Sequence, residues 1–233
     1  MANRTLRRLL ARAAVTSFVA VLVAMAVGMP RVPRLYASHQ LEKHAAGATR
    51  RPAAAAVDTA VFAGGCFWGI EAVFEHLKGV TSAVSGYAGG SRVSPSYEEV
   101  SSGTTGHAES VRVVYDPARI TYAQLLQVFF TVAHDPTQLN RQGPDQGSQY
   151  RSAVFYYNKK QRQMAEDYVA KLGRAKTYDQ PIVTEIVPLR AFYPAEDYHQ
   201  NYMARHPTQP YIVMNDAPKV KHLQQAFPDW YQK

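Results

Sequence analysis

The sequence contains one cysteine, Cys66, within the run Gly64-Gly65-Cys66-Phe67-Trp68-Gly69. A short apolar segment precedes this run and apolar residues at helical spacing follow it, which predicts that Cys66 opens a helix. The unpaired N–H groups and the dipole of a helix N-terminus stabilise negative charge and so favour the reactive thiolate. Most single cysteines are instead small buried apolar residues. A lone cysteine cannot form an internal disulfide, so any redox chemistry at Cys66 must finish on an external thiol.

Five further motifs follow the cysteine in order along the chain. They are Gly86-Tyr87-Ala88-Gly89-Gly90, Tyr97-Glu98-Glu99-Val100, Gly106-His107-Ala108-Glu109, the long run from Arg141 to Ser152, and Tyr198-His199-Gln200-Asn201-Tyr202. Together with the run around Cys66, they resemble the A-type peptide methionine sulfoxide reductases. The resemblance implies a two-layer α/β fold and thiol-dependent reduction of methionine-S-sulfoxide to methionine, with no cofactor. Its expected substrates are free methionine sulfoxide and oxidised proteins and peptides.

The resemblance assigns four residues to catalysis. Cys66 would attack the sulfoxide sulfur, and Glu109 would donate a proton to the sulfoxide oxygen. Such a proton donor must be neutral near pH 7, which burial would achieve by raising its pKa. Tyr97 and Tyr150 match two tyrosines that hydrogen-bond the oxygen, a role that suits phenols because they donate while uncharged.

Three more residues are assigned to substrate binding. Phe67 and Trp68 match the aromatic pocket for the substrate methyl group, since sulfur and methyl groups pack well on aromatic rings. Asp145 matches a loop acid near the thiol, with a role in binding or in thiol recycling. The histidines of the matched motifs have no spacing that indicates a metal site.

The sequence departs from many members of the resembled family near its C-terminus. Many members carry one or two further cysteines there, which resolve the oxidised nucleophile as a disulfide, whereas residues 204–233 contain none. The sulfenic acid expected on Cys66 would then be reduced directly by a small thiol or a thioredoxin-like protein.

Two other classes of function remain open from the residues alone. A cysteine hydrolase could use His107 or His199 as its base, and it would act on esters or amides without consuming a reductant. An exported peptide-binding module could use the aromatic pocket alone, and its binding would survive Cys66→Ser.

The residues that position the motifs alternate between strand-like and helix-like patterns. Strands are predicted at 59–62, 80–87, 110–115, 152–157 and 182–187. Helices are predicted after Cys66 and at 121–133, 158–172, 195–203 and 219–226, with loops at 88–106 and 134–149. We expect an α+β fold, a two-layer α/β sandwich of the ferredoxin-like type with a mixed sheet and covering helices.

The net charge of +8 lies entirely in the first quarter of the 233-residue chain. Residues 1–57 carry nine Lys or Arg and one Glu, whereas the remainder carries 17 Lys or Arg and 17 Asp or Glu. The neutral remainder gives no indication of nucleic-acid binding. Four arginines ahead of the apolar run Ala13–Met29 indicate a secretory signal or an uncleaved membrane anchor at 1–29. We expect a disordered linker at 30–57, a catalytic domain at 58–233, and a periplasmic or membrane-anchored extracytoplasmic location.

Overall fold

The computed structural model describes residues 56–233. The predicted signal or anchor at 1–29 and nearly all of the predicted linker at 30–57 lie outside the described residues. Within the part that is described, no helix has the length and apolar character needed to cross a membrane.

A six-stranded sheet forms the centre of the fold, with strand order β7-β6-β1-β3-β2-β8. Its strands are β1 (Asp58–Gly64), β2 (Val80–Ala88), β3 (Ala108–Tyr115), β6 (Ser152–Tyr156), β7 (Glu185–Pro188) and β8 (Phe192–Pro194). Only the β6–β7 pair is parallel, and the others are antiparallel. The four inner strands have the order and connections of a split βαβ arrangement, which confirms the predicted ferredoxin-like α+β class with a mixed sheet.

Helices cover one face of this sheet. They are α1 (Phe67–Glu75), α2 (Tyr97–Ser101), α3 (Tyr122–Val128), α4 (Lys159–Arg174), α5 (Tyr202–Arg205) and α6 (Ala217–Ala226). Successive residues of β1 point to opposite faces, so Phe62 packs among the helices, where its ring stacks on Phe74 at 5.1 Å and on Phe129 at 4.8 Å. Val61 and Ala63 belong to a smaller apolar cluster on the other face. Both faces of β1 are therefore buried, which fixes the strand that leads into Cys66.

The structure also differs from the predicted elements in two loops and one helical segment. The predicted 88–106 loop contains α2, whose capping box joins Ser96 and Glu99. The 134–149 loop contains a short hairpin of β4 (Arg141–Gln142) and β5 (Asp145–Gln146). The predicted helix at 195–203 is wrong as a continuous element: it is a 3-10 turn followed by α5, interrupted at Asn201, whose φ is +52°.

Candidate active site

One cavity of about 280 Å³ at the N-terminus of α1 brings together all seven residues predicted for the site. Its lining consists of Cys66, Phe67, Trp68, Tyr97, Glu109, Asp145, Tyr150, Gln209 and Tyr211. Pockets that hold small molecules usually enclose roughly 300–1,000 Å³, so this cavity lies at the lower end of that range.

The backbone before α1 places the cysteine at the helix cap. Gly65 has φ +98°, a conformation that favours glycine, and an added Cβ would overlap the side chain of Gln142. Cys66 is the N-cap residue of α1 and is 8% exposed. The backbone N–H of Trp68, in the first turn of the helix, favours the ionised form of the sulfur. The strand-to-helix turn therefore presents the thiol to the cavity at the positive end of the helix.

Burial nevertheless determines the resting state of this thiol. The pKa of Cys66 is raised well above its usual value, first by burial and then by the negative charges of Glu109 and Asp216. The Trp68 N–H and the Lys219 ammonium lower the pKa, but they do not offset these effects. The helix terminus stabilises the thiolate as the sequence indicated, yet burial outweighs it, and Cys66 rests as a thiol at neutral pH.

Glu109 lies on β3 at 2% exposure, and its Oε2 accepts a hydrogen bond of 3.0 Å from the N–H of Phe67. Burial raises the pKa of this carboxyl to about 8, although the Phe67 hydrogen bond opposes the shift. Glu109 therefore carries a proton at neutral pH, the state expected of a proton donor. The first two N–H groups of α1 thus favour the two groups assigned to the chemistry in different ways: that of Phe67 donates to the carboxyl, and that of Trp68 lowers the pKa of the thiol.

Tyr97 and Tyr150 lie on two segments that a hydrogen bond joins. Tyr97 begins α2, and its N–H donates to Glu196 Oε1 at 2.9 Å. Gln149, next to Tyr150, donates from Nε2 to the carbonyl of Ser101 at the end of the same helix, at 3.1 Å. Burial and then the Glu109 charge raise the pKa of Tyr97 to about 12 and raise that of Tyr150 further. Both phenols keep their protons at neutral pH and can donate to a bound oxygen.

Phe67 and Trp68 form an aromatic wall of the cavity. Phe67 is fully buried, whereas Trp68 stacks on Tyr202 with ring centroids 3.8 Å apart and rings nearly parallel. The Nε1 of Trp68 donates to Nδ1 of His199 at 3.1 Å, which fixes the indole. The two rings therefore present an apolar surface to the cavity, and the indole N–H of Trp68 is hydrogen-bonded to His199.

Asp145 enters the cavity from the β4–β5 hairpin and accepts a hydrogen bond from the hydroxyl of Tyr211. Burial and the negative charges of Cys66 and Asp145 raise the pKa of Tyr211, so this hydroxyl is a donor. Sequence reasoning missed Tyr211 and Gln209, which line the cavity from the segment before α6. Tyr211 lies outside every matched motif and is one of 15 tyrosines, so nothing local distinguished it.

The histidines serve the fold rather than the thiol. In His107, Nδ1 accepts from the N–H of Gly90 at 3.2 Å and Nε2 donates to the carbonyl of Arg92 at 2.8 Å. His199 uses Nδ1 as the acceptor for Trp68, and burial lowers its pKa. Neither histidine is arranged as a base for Cys66, as a cysteine hydrolase would require.

Comparison with known proteins agrees with this geometry. The family model described as peptide methionine sulfoxide reductase matches residues 58–231. Peptide methionine sulfoxide reductase MsrA 2 of Mesorhizobium japonicum is 57% identical over 181 residues, which cover 78% of this chain and 93% of that protein. MsrA 2 of Synechocystis is 51% identical over 172 residues, covering 74% of this chain and 80% of that protein.

Solved structures show the same relationship. Methionine sulfoxide reductase A of Corynebacterium diphtheriae superposes with a TM-score of 0.59 at 39% identity, covering 66% of this chain and 76% of that one. Mxr1 of Saccharomyces cerevisiae in its reduced form gives 0.56 at 36% identity, covering 66% of this chain and 87% of that one. The chain therefore belongs to the peptide methionine sulfoxide reductase family.

Proposed function

We propose that this protein, a methionine sulfoxide reductase, acts on the S epimer of methionine sulfoxide, both free and within proteins, and so repairs oxidised proteins. The observation that carries the proposal is the placement of Cys66 and Glu109 in one cavity at the N-terminus of α1, where the N–H of Phe67 donates to the Glu109 carboxyl. The family match and its relatives give no support to a hydrolase or to a non-catalytic peptide-binding module.

The chemistry begins with two neutral groups, the Cys66 thiol and the Glu109 carboxyl. Two negative charges at this buried site repel each other, so the pair carries at most one near neutral pH. The reactive form is the minor one in which that charge is on Cys66 and the proton stays on Glu109. The thiolate attacks the sulfoxide sulfur as Glu109 protonates the oxygen. The hydroxyl so formed then migrates to the sulfur of Cys66, as the sulfur–oxygen bond of the substrate and the newly formed sulfur–sulfur bond both break. The products are methionine, the sulfenic acid of Cys66 and the carboxylate of Glu109, which regains a proton from water.

The tyrosines and the aromatic wall give this reaction its handedness. Tyr97, Tyr150 and Glu109 supply hydrogen-bond donors for the sulfoxide oxygen, whereas Phe67 and Trp68 offer an apolar surface for the methyl group. With the oxygen and the methyl group held on different walls, only one configuration at sulfur presents its free face to Cys66.

The test uses separate S and R sulfoxides of an amino-blocked methionine with dithiothreitol. We expect reduction of the S epimer and none of the R epimer. Comparable rates on both epimers would contradict the assignment of oxygen and methyl groups to opposite walls. Hydrolysis of the blocking group without consumption of dithiothreitol would instead favour the hydrolase.

The reductant is proposed to be an external thiol. Because Cys66 is the only cysteine of the chain, its sulfenic acid has no partner for an internal disulfide. A small thiol or a thioredoxin-like protein would condense with it to a mixed disulfide, and a second thiol would release Cys66. After one turnover without reductant, mass spectrometry should show the gain of one oxygen, trappable by a sulfenic-specific reagent.

The proposed place of work is outside the cytoplasm. The arginines ahead of the apolar run Ala13–Met29 support export, with the segment either cleaved or kept as a membrane tether. A reductant would then have to reach a compartment in which disulfides persist. Fractionation of cells that produce the full chain tests this proposal. Recovery only from the cytosol, with residues 1–29 retained, would contradict it and leave the chemistry unaffected.

A further inference from the structure

A buried ion pair lies behind the active-site helix, outside all the motifs. Asp216 ends a π-helical turn (Ile212–Asp216), and Lys219 lies one turn later in α6. The Lys219 Nζ is 3.2 Å from Asp216 Oδ1, and Asp216 is fully buried. Removing such a charge from water is costly, and the mechanism above gives it no task.

The pair packs directly against the helix that carries Cys66. Gly69 is in the first turn of α1, and a Cβ added there would overlap the Asp216 carboxyl and lie 3.0 Å from Lys219 Nζ. A glycine at this position therefore admits the ion pair. The same π-helical turn follows directly after Tyr211, which lines the cavity, so the pair belongs to the framework of the site.

The negative charge of this pair is incompletely compensated. Within residues 56–233, Asp216 Oδ2 is buried and has no hydrogen-bond partner. The carboxylate raises the pKa of Cys66 after burial and Glu109, and Lys219 lowers it by less. The groups that face Cys66 and the pair are Glu109 on β3, Asp145 on β5, Tyr97 on α2, Tyr150 on the 3-10 turn before β6, Tyr211 on the segment before α6, and His134 after α3.

We propose that Asp216 is a positioning residue, held in place and partly offset by Lys219, that keeps Cys66 in its uncharged thiol form between turnovers and thereby slows its oxidation by peroxides. A thiolate attacks one oxygen of hydrogen peroxide and breaks the O–O bond. The sulfur is oxidised to a sulfenic acid and the peroxide is reduced, its other oxygen leaving as hydroxide and becoming water. A second peroxide gives the sulfinic acid, which ordinary thiols do not reduce. With no second cysteine to trap the sulfenic acid, this protection matters to the enzyme.

The experiment measures alkylation of Cys66 by iodoacetamide across pH, without sulfoxide. In Asp216→Asn, Asp216 no longer opposes Lys219, so we expect severalfold faster alkylation at neutral pH, because the thiolate fraction rises as the pKa of Cys66 falls. Adding Lys219→Met to this variant should return the rate toward wild type. Adding Lys221→Met instead, which removes an exposed lysine of the same helix, should leave the fast rate unchanged.

A merely structural role predicts another pattern. If the substitutions only loosen packing, the second change increases alkylation further instead of reversing it, and that result would overturn the proposal. An unchanged rate in Asp216→Asn would overturn it as well. If Asp216→Asn does not fold, Lys219→Met measured at about pH 8 provides the second test. Loss of the cation should slow alkylation of Cys66, and an equal or faster rate would count against the proposal.

Sensitivity to peroxide gives an independent readout. Hydrogen peroxide should oxidise Cys66 faster in Asp216→Asn than in wild type, by about the same factor as the increase in alkylation rate. Equal sensitivity of the two proteins to peroxide would contradict the protective role. The inference rests on the proposed function only in taking Cys66 as the reacting group. Because neither assay contains sulfoxide, its failure is distinguishable from a failure to reduce methionine-S-sulfoxide.

Discussion

Glu109, on β3 beside α1, and Glu71, within α1, are two buried glutamates that share nearly every local property. Glu109 is 2% exposed and Glu71 is 1% exposed. Each accepts a hydrogen bond of 3.0 Å from a backbone N–H: Glu109 from that of Phe67, and Glu71 from that of Asn201. Burial raises the pKa of Glu109 to about 8 and that of Glu71 to about 7. Only Glu109 lines the cavity that holds the thiol. A raised pKa thus reports burial, and access to the reacting atoms distinguishes a catalytic acid from a structural one.

The largest expected effect comes from replacing Cys66, the nucleophile in the cavity that Glu109 lines. Cys66→Ser should lower turnover by more than about 10³-fold, because loss of a covalent nucleophile usually costs far more than that. The fold and substrate affinity should persist, since a hydroxyl fits the same space. Steady-state reduction of the S-sulfoxide and equilibrium binding give the two quantities. Residual turnover above a thousandth of wild type would remove Cys66 from the mechanism.

Glu109→Gln should come next and should move two measurements in opposite directions. The chemical step should slow by roughly 10²–10⁴-fold because an amide cannot deliver a proton. Alkylation of Cys66 should extend to lower pH, because the carboxylate that raises the pKa of the thiol is gone. Single-turnover kinetics and iodoacetamide labelling measure the two effects. An unchanged chemical step would place Glu109 with Glu71 as a structural residue.

The pH dependence of the single-turnover rate should distinguish the same two residues. Cys66 and Glu109 share buried space, so they lose their protons in two coupled steps, and the reactive form retains one proton, on Glu109. The wild-type rate should therefore rise as the first proton leaves, near pH 8, and fall as the second leaves. Glu109→Gln should lose the falling limb, whereas Glu71→Gln should keep it. A falling limb that persists without Glu109 would point to another acid.

The tyrosines should give a smaller loss. Tyr97→Phe and Tyr150→Phe each remove one hydrogen bond to an oxygen that gains charge, which is worth about 1.5–3 kcal/mol, or roughly 10–100-fold in rate. Tyr157→Phe, at a tyrosine 48% exposed on the surface, is the matched control and should leave the rate unchanged. The measured quantity is kcat/KM on the S-sulfoxide. Equal effects at Tyr97, Tyr150 and Tyr157 would deny the two cavity tyrosines a role.

Much of the fold and the identity of the site residues could be predicted from sequence, because both depend on local patterns. Apolar periodicity located β1 and α1, and the ordered motifs gave the residues that line the cavity. The break at Asn201 was not predicted, and the Asn201 N–H there donates to Glu71, 130 residues away, a contact that no local pattern shows. The raised pKa of Cys66 was missed for the same reason. The sequence shows the helix cap, whereas burial and the charges of Glu109 and Asp216 come from distant segments.

Glu71→Gln should have the smallest effect on catalysis and should sharpen the comparison with Glu109. Because the folded pKa of Glu71 is about 7 and the usual value is 4.5, the folded state holds a proton that the unfolded state releases between these values. The free energy of unfolding of the wild type therefore falls as pH rises through this window, a loss that the amide variant does not share. We expect the stability of Glu71→Gln relative to wild type to increase by about 2 kcal/mol between pH 5 and pH 8.

Denaturant unfolding at the two pH values measures this difference, and single-turnover reduction should stay within about twofold of wild type, since stability and chemistry are separate at this residue. A relative stability that does not change with pH would show that Glu71 is already ionised in the folded protein. A loss of the chemical step as large as that of Glu109→Gln would show that the sealed side of α1 takes part in catalysis, and the distinction between the two glutamates would then fail.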